Sequence, residues 1–330
     1  MYYLAKSLYL YANTYYKTCY TFVDLTVCGM NDYVPNLGFS EYEVVEKIQT
    51  QASCQTSIPW PLERIQERTA VYRQVAGTQS GKGLAYILDT WIDIDHPELQ
   101  GRAFRGPSFI NDYRMTQGHG TFIAGLIGSK TFGVAKDSIL IGVQVMGGDG
   151  RGDTYKLIEG LNWVFQNWTK YGKPKAVINL SLAGSYSNLL NQVVEKIHRA
   201  GLPVVAASGN SAINASQVSP ASAQVYTVAA SDKKDQWGTF SNYGPSVQLI
   251  APGVDVQSIW PNGLQAIMSG TSMATAIVSG SILAGSNIKD ATKNIISNVP
   301  KNTVNLFTYI KPQIICSPPS FLVQNSNPLS

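Results

Sequence analysis

From Gly83 onward the chain alternates two apolar rhythms. The segments GLAYILDT, ILIGVQVM, KAVINLSL, PVVAASGN, VYTVAAS and VQLIAPG each hold a short continuous apolar run closed by turn-forming residues. Such runs predict buried strands. Between them the spacing turns helical. Leu157, Leu161, Val164, Phe165 and Trp168 share one face of TYKLIEGLNWVFQNW. Leu189, Leu190, Val193, Val194 and Ile197 do the same in SNLLNQVVEKIHRAG, with Gly201 where a C-terminal cap belongs. HGTFIAGLIG predicts a helix start, with Phe122, Ile123, Leu126 and Ile127 at helical spacing. Alternating strands and helices imply an α/β fold: a mostly parallel central sheet with helices on both faces. Ligands of such sheets bind beyond the carboxyl ends of the strands. Asp89 and Asn210 each follow an apolar strand, which sets both at one rim.

The flanks lack this pattern. Residues 1–52 are aromatic-rich, then polar, without a clear period. The tail 313–330 is rich in Pro, Ser and Asn and reads as loose.

Composition narrows the classes. Of 330 residues, 44% are hydrophobic and 14% charged, which describes a folded chain able to bury a sizeable core. A net charge of +4 without a basic run gives no case for nucleic acid. No apolar stretch is long enough to span a membrane, and the tyrosines and lysine of the first twenty residues argue against a cleavable signal peptide. Four cysteines (Cys19, Cys28, Cys54 and Cys316) fit neither zinc nor redox spacing and leave the compartment open.

The chemistry gathers around SGTSMATAIVSG, where small residues surround Ser272. One reading is close packing of a helix on a sheet. The other is access of a substrate backbone to a nucleophile. A serine hydroxyl needs an adjacent base, and the chain has 3 histidines. His198 lies off the apolar stripe of its helix and reads as a solvated surface residue. His96, in DHPEL, reads as a turn residue. His119, in GHGT, has flanking glycines that allow close approach. The order Asp89, His119, Ser272 is that of one of the known serine triads.

On these motifs the chain resembles the subtilisin-family serine proteases, closest to the proteinase K-like branch. LDTWIDIDHPEL resembles the aspartate block, GHGTFIAGLIG the histidine block, VVAASGN the asparagine block and SGTSMATA the serine block. INLSLAG and TFSNYGPSVQLIAPG match further stretches. The likeness runs from about residue 55 to 310, which divides the chain into a head (1–52), a subtilisin-like catalytic domain (53–312) and the tail (313–330). It implies a serine endopeptidase with Asp89, His119 and Ser272 as triad, and Asn210 with the Ser272 N–H as oxyanion hole. It implies an extended peptide or protein substrate laid between Gly150-Arg151-Gly152 and Leu182-Ala183-Gly184. Ala183, Gly184 and the run Ala207-Ser208-Gly209 would line the first specificity pocket; none is charged, so an apolar or aromatic P1 residue is expected. Gly270 and Ala274 would keep the approach to Ser272 open. No cofactor is implied for the chemistry. Asp232 matches one calcium-ligand position, so a structural calcium is an expectation that this residue alone carries. A monomer and a secreted location are what the resemblance favours.

Three features depart from the family pattern: Trp91 where a glycine is usual, Ala276 where a proline is usual, and a head shorter than the usual inhibitory propeptide. They motivate an alternative, a binding protein on the same scaffold that is impaired or cuts only itself. A non-peptidase hydrolase is a third reading, against which the peptide-pairing segments argue. Asn167 to Thr169 and Asn214 to Ser216 match glycosylation sequons without establishing secretion.

Overall fold

The computed structural model describes residues 17–22, 25–30, 38–40, 44–49, 58–66, 82–110, 112, 118–286, 292–293 and 296–308, with the backbone alone below residue 50, at 66 and at 292–293. The expected loose tail lies outside the described residues. The head, which carries no apolar period, contributes β1 (Lys17–Phe22), β2 (Leu25–Met30), β3 (Gly38–Ser40) and β4 (Val44–Gln49). Helix α1 (Trp60–Gln66) precedes β5 (Leu84–Asp89), β6 (Ala103–Ser108), α2 (His119–Gly128) and β7 (Ile139–Gln144). Then come β8 (Arg151–Asp153), α3 (Thr154–Lys170), β9 (Ala176–Leu180), β10 (Ala183–Ser185) and α4 (Asn188–Arg199). The chain continues through β11 (Val204–Ala207), β12 (Val218–Ser219), β13 (Tyr226–Ser231), β14 (Leu249–Pro252), β15 (Val256–Trp260) and β16 (Leu264–Ser269). It closes with α5 (Thr271–Leu283), β17 (Thr292–Lys293) and β18 (Leu306–Phe307).

The central sheet has 9 strands in the order β17-β18-β14-β13-β11-β9-β5-β7-β6. All run parallel except the edge strand β17. Every apolar run that predicts a strand forms one of them. Because side chains alternate across a sheet, each strand feeds two cores. Ala85 and Ile87 of β5, Val177 of β9 and Val205 of β11 pack with α2 and α5. Tyr86, Leu88, Ile178, Val204 and Ala206 pack with α3 and α4. The result is three layers, and the alternation decides the site. Asp89 and Asn179 fall on the α2/α5 face, in register with Ile87 and Val177.

The helix ends follow their capping residues. Asp153 caps α3 by accepting from Tyr155 N and Lys156 N, and Ser187 caps α4 by accepting from Leu190 N. Such caps contribute about 1 kcal/mol each. Gly201 follows α4 with φ 97°, the left-handed conformation that glycine adopts without a Cβ clash.

Two small sheets lie outside the layers, and both recruit the head. β4 adds to the hairpin of β15 and β16, pairing antiparallel with β16 so that Val44 lies opposite Ser269. β3 enters a sheet of order β12-β10-β3-β8. β1 and β2 form a separate antiparallel pair whose register sets Cys19 opposite Cys28.

Candidate active site

Asp89 ends β5 on the α2/α5 face and is fully buried. A buried carboxylate needs partners. Its oxygens lie 2.9 and 3.0 Å from His119 Nδ1, and Oδ1 also accepts from Thr90 N at 2.7 Å. With Nδ1–H directed at the carboxylate, Nε2 is the basic nitrogen of the neutral ring. His119 is the first residue of α2 and fully buried. The two glycines of GHGT are explained by contact. A Cβ on Gly118 would lie 2.5 Å from the Trp260 indole, and one on Gly120 would lie 2.5 Å from Thr90 O. Gly120 N donates to Thr90 Oγ1 at 2.9 Å, tying the start of α2 to the end of β5.

Ser272 is the second residue of α5 and 3% exposed. Its hydroxyl donates to the carbonyl of Ser181 at 3.0 Å, while Ser181 Oγ donates to the Ser272 carbonyl at 2.9 Å. Gly270, the N-cap, makes no side-chain cap. The start of α5 is instead held by Asn210, whose Oδ1 accepts from Thr271 N and Thr271 Oγ1, both at 2.9 Å. Thr271 Oγ1 in turn accepts from Gly209 N at 3.1 Å. The Asn210 amide is thus clasped by its oxygen to the residue preceding Ser272, which fixes which end carries the donors. The structure joins Asp89 to His119 directly, and Asn210 to Ser272 through Thr271.

The predicted peptide-pairing segments flank a common strand. Arg151 and Gly152 lie on β8, and Ala183 and Gly184 on β10, with Gly150 (φ 72°) turning the chain into β8 and Leu182 buried beneath β10. Between them runs β3, antiparallel to both. Phe39 lies opposite Gly152 and Gly184, and Ser40 opposite Arg151 and Ala183. Ala207 and Ser208 are buried at the end of β11. Gly209 has φ 99°, and a Cβ there would lie 3.5 Å from Ala183 Cβ and 2.4 Å from Asn242 Nδ2. That proximity brings the Ala207–Gly209 run against the Ala183 segment. A separate cavity of about 480 Å³ adjoins the outer side of β8, lined in part by Asp112, Asp149, Arg151 and Lys156.

One expectation changes, and the surroundings of the other singled-out residues are defined. His198 is not a solvated surface residue. It is half-buried, packs edge-on against Tyr226 at 4.7 Å, and accepts from Val204 N through Nδ1 at 3.1 Å. Burial, then Arg199, lowers its pKa. The reason is register: the residue after Ile197 sits where the helix end meets the strand leading into β11. His96 is buried and accepts from Glu98 N, capping a single helical turn. The Trp91 ring lies under the Arg105 guanidinium at 5.6 Å, and the Asp89–His119 contact is made with that ring in place. Ala276 is buried inside an unbroken α5. The Asp232 carboxylate is engaged by its own backbone turn. Its Oδ1 accepts from Lys234 N and Gln236 N at 2.8 Å each, closing a turn, and the described residues contain no cluster of three or more His, Cys, Asp or Glu suited to a metal. Among the sequons, Asn167 accepts from the Tyr86 hydroxyl at 2.7 Å and Asn214 from Ser216 N at 3.0 Å. No helix among the described residues is long and apolar enough to cross a membrane.

Sequence reasoning did not single out Thr271, Ser181, Asn179 or Ser279. For Asn179 and Ser181 a signal existed: they continue the α2/α5 face of β9 from Val177, so both are polar residues at inward-facing positions.

This architecture defines a class of α/β protein in which a buried aspartate–histidine pair sits at one rim of a parallel sheet. Residues 85–307 match the model of the Subtilase family, Peptidase_S8. Subtilisin-like protease 5 of Arthroderma gypseum is 40% identical over 250 residues, 74% of this chain and 63% of that protein. The cuticle-degrading protease of Metarhizium anisopliae is 39% identical over 296 residues, 83% of this chain and 76% of that protein. The crystal structure of a cold adapted subtilisin-like serine proteinase superposes with a TM-score of 0.70 at 33% identity, covering 78% of this chain and 99% of the other. The chain belongs to the subtilase family. It spans about three fifths of the length of the first of these relatives.

Proposed function

We propose that the chain is a serine endopeptidase that cleaves extended peptides through an acyl-enzyme on Ser272. The observation that supports this most is β3: the groove between β8 and β10 takes up an extended backbone by main-chain pairing on both edges. A substrate strand in that place recruits the same edges. Uncharged Ala183, Gly184, Ala207, Ser208 and Gly209 favour an apolar or aromatic side chain at the first pocket.

Catalysis begins with rotation of the Ser272 hydroxyl from the Ser181 carbonyl toward His119 Nε2, a move between staggered wells. His119 takes the proton as Oγ attacks the scissile carbonyl. The imidazolium is stabilised by Asp89, which stays ionised. The oxyanion receives the Asn210 amide N–H and the Ser272 backbone N–H, with the positive end of α5 behind it. His119 then protonates the leaving amine. Water repeats the sequence in the second half, delivering its proton to His119 and its hydroxide to the acyl carbon, and Ser272 regains its proton. The family needs no cofactor for this chemistry, and all these groups come from one chain, so a monomer suffices. Calcium enters no step.

The full chain should hydrolyse a peptide with an aromatic P1 residue, and Ser272→Ala should not. A folded wild-type chain without turnover would count against the reading. A second reading has its own support in the same strand. Because β3 lies in the groove and β4 is built into the β15–β16 sheet, the chain is also suited to remain self-occupied. That reading expects no turnover of added peptide and a Ser272 that acts, if at all, on its own polypeptide.

A further inference from the structure

Asn179 is a buried polar residue facing an apolar layer, and such a residue requires partners. Ser279 Oγ donates to Asn179 Oδ1 at 2.9 Å, Asn179 Nδ2 donates to Ser181 Oγ at 2.9 Å, and Ser181 Oγ donates to the Ser272 carbonyl at 2.9 Å. The donors all point the same way, toward the nucleophile. Ser272 and Ser279 lie on one face of α5, and Asn179 and Ser181 on one face of the strand beside it. Two rungs therefore join helix to strand, and the Asn179 amide links the rungs lengthwise. Ser181 closes the upper rung in both directions, since its own carbonyl accepts the Ser272 hydroxyl at 3.0 Å. Asn179, Ser181 and Ser279 are each fully buried.

A simple stability role explains this poorly. Neutral hydrogen bonds between buried groups add little net stability over an apolar contact of the same shape. They do fix position. An apolar α5 face against β9 permits sliding along the strand by fractions of an ångström. The polar rungs permit one register. Hydrogen bonds in series also polarise one another, so a donor at Ser279 strengthens the bond at Ser272.

We propose that Ser279, Asn179 and Ser181 form a positioning relay that sets the height of the Ser272 Oγ above the sheet rim. The three act through one another and not on the substrate. The inference rests on the proposed role of Ser272 as nucleophile and adds the group that aims it. Ser279, far down α5 from the cleft, is the residue that nothing in the site itself would single out.

The test compares full-length wild type with Ser279→Ala, Ser181→Ala and the double variant. Three readouts serve: the rate constant for covalent labelling by a fluorophosphonate, kcat and KM on one peptide, and the thermal midpoint. Ser279→Ala should lower kcat and the labelling rate by about tenfold, with KM within about twofold of wild type, because a small misplacement of a reacting group is costly. The double variant should fall no further than Ser181→Ala alone, within about twofold, as members of one chain of interactions do. A merely structural Ser279 would shift the thermal midpoint and leave the labelling rate of the folded protein unchanged; that result overturns the relay. Losses that multiply in the double variant overturn it as well. Wild type that itself resists the probe removes the nucleophile, and so refutes the proposed function and the relay together, whereas wild type that labels normally beside an unaffected Ser279→Ala refutes the relay alone.

Discussion

The two halves of the site are held by different forces. On one side Asp89 and His119 make an ionisable pair, wholly buried, with the ring nitrogen between both carboxylate oxygens. On the other, Ser272 is held by neutral groups: the Ser181 carbonyl and hydroxyl, and the Thr271 clasp on Asn210. On the proposed mechanism the ionic half concentrates its function in one carboxylate. The neutral half spreads it over several weak bonds, none decisive alone. The two should therefore fail differently, one abruptly and the other in graded steps.

Asp89→Asn should give the largest loss, about 10⁴-fold in kcat, because an amide can stabilise the wrong ring tautomer without disturbing the geometry. Steady-state rates on a peptide would show it, and a loss under tenfold would contradict the ionic account. Asn210→Ala should lower kcat by about 100- to 1000-fold, a magnitude that comes from an oxyanion asparagine of this same family, not from this chain. KM should change little. If KM instead rose in proportion while kcat held, the amide would be a substrate anchor and not an oxyanion donor.

The next effect runs the other way. Ser40→Pro removes a backbone donor from β3, which has neighbours on both sides. Turnover of added peptide should rise about threefold or more, since each lost hydrogen bond is of order 1 kcal/mol. An unchanged rate would mean that β3 does not compete with substrate.

The smallest effect concerns His198, remote from the cleft. Its lowered pKa means that the folded chain holds the neutral ring while the unfolded chain protonates more readily. Stability present above the ordinary histidine range is then lost as pH falls from that range toward the folded value. The thermal midpoint of wild type should drop slightly more between pH 7 and pH 5 than that of His198→Gln. Equal drops would show that the ring titrates as it does in water.

Legibility followed burial. Six of the eight parallel strands, with α2, α3 and α4, were readable because a buried element writes its period into the chain: β5, β9 and β11 are nearly continuous apolar runs, whereas the partly exposed β6 and the two-residue β18 carry none. Asp89, His119, Asn210 and Ser272 were singled out because motif order added what pattern could not. The groove strands were harder. β8 and β10 are three residues each, glycine-bearing and partly exposed, so they carry no hydrophobic signal, and motif resemblance alone located them. The head strands β3 and β4 were missed outright. They form by adding to existing edges, where pairing is supplied by the partner backbone and asks little of the sequence. The Asn179–Ser279 rung was missed for the opposite reason. Asn179 breaks the inward apolar face of β9, but Ser279 is ordinary by itself, and only the packing of α5 on β9 makes them a pair.

The account stands on Ser272 as the nucleophile. The most direct measurement is mass spectrometry of the folded full-length chain after treatment with a fluorophosphonate. One adduct is predicted, on the peptide carrying Ser272, and none in Ser272→Ala. Failure of folded wild type to label, or an adduct on another serine, would contradict it.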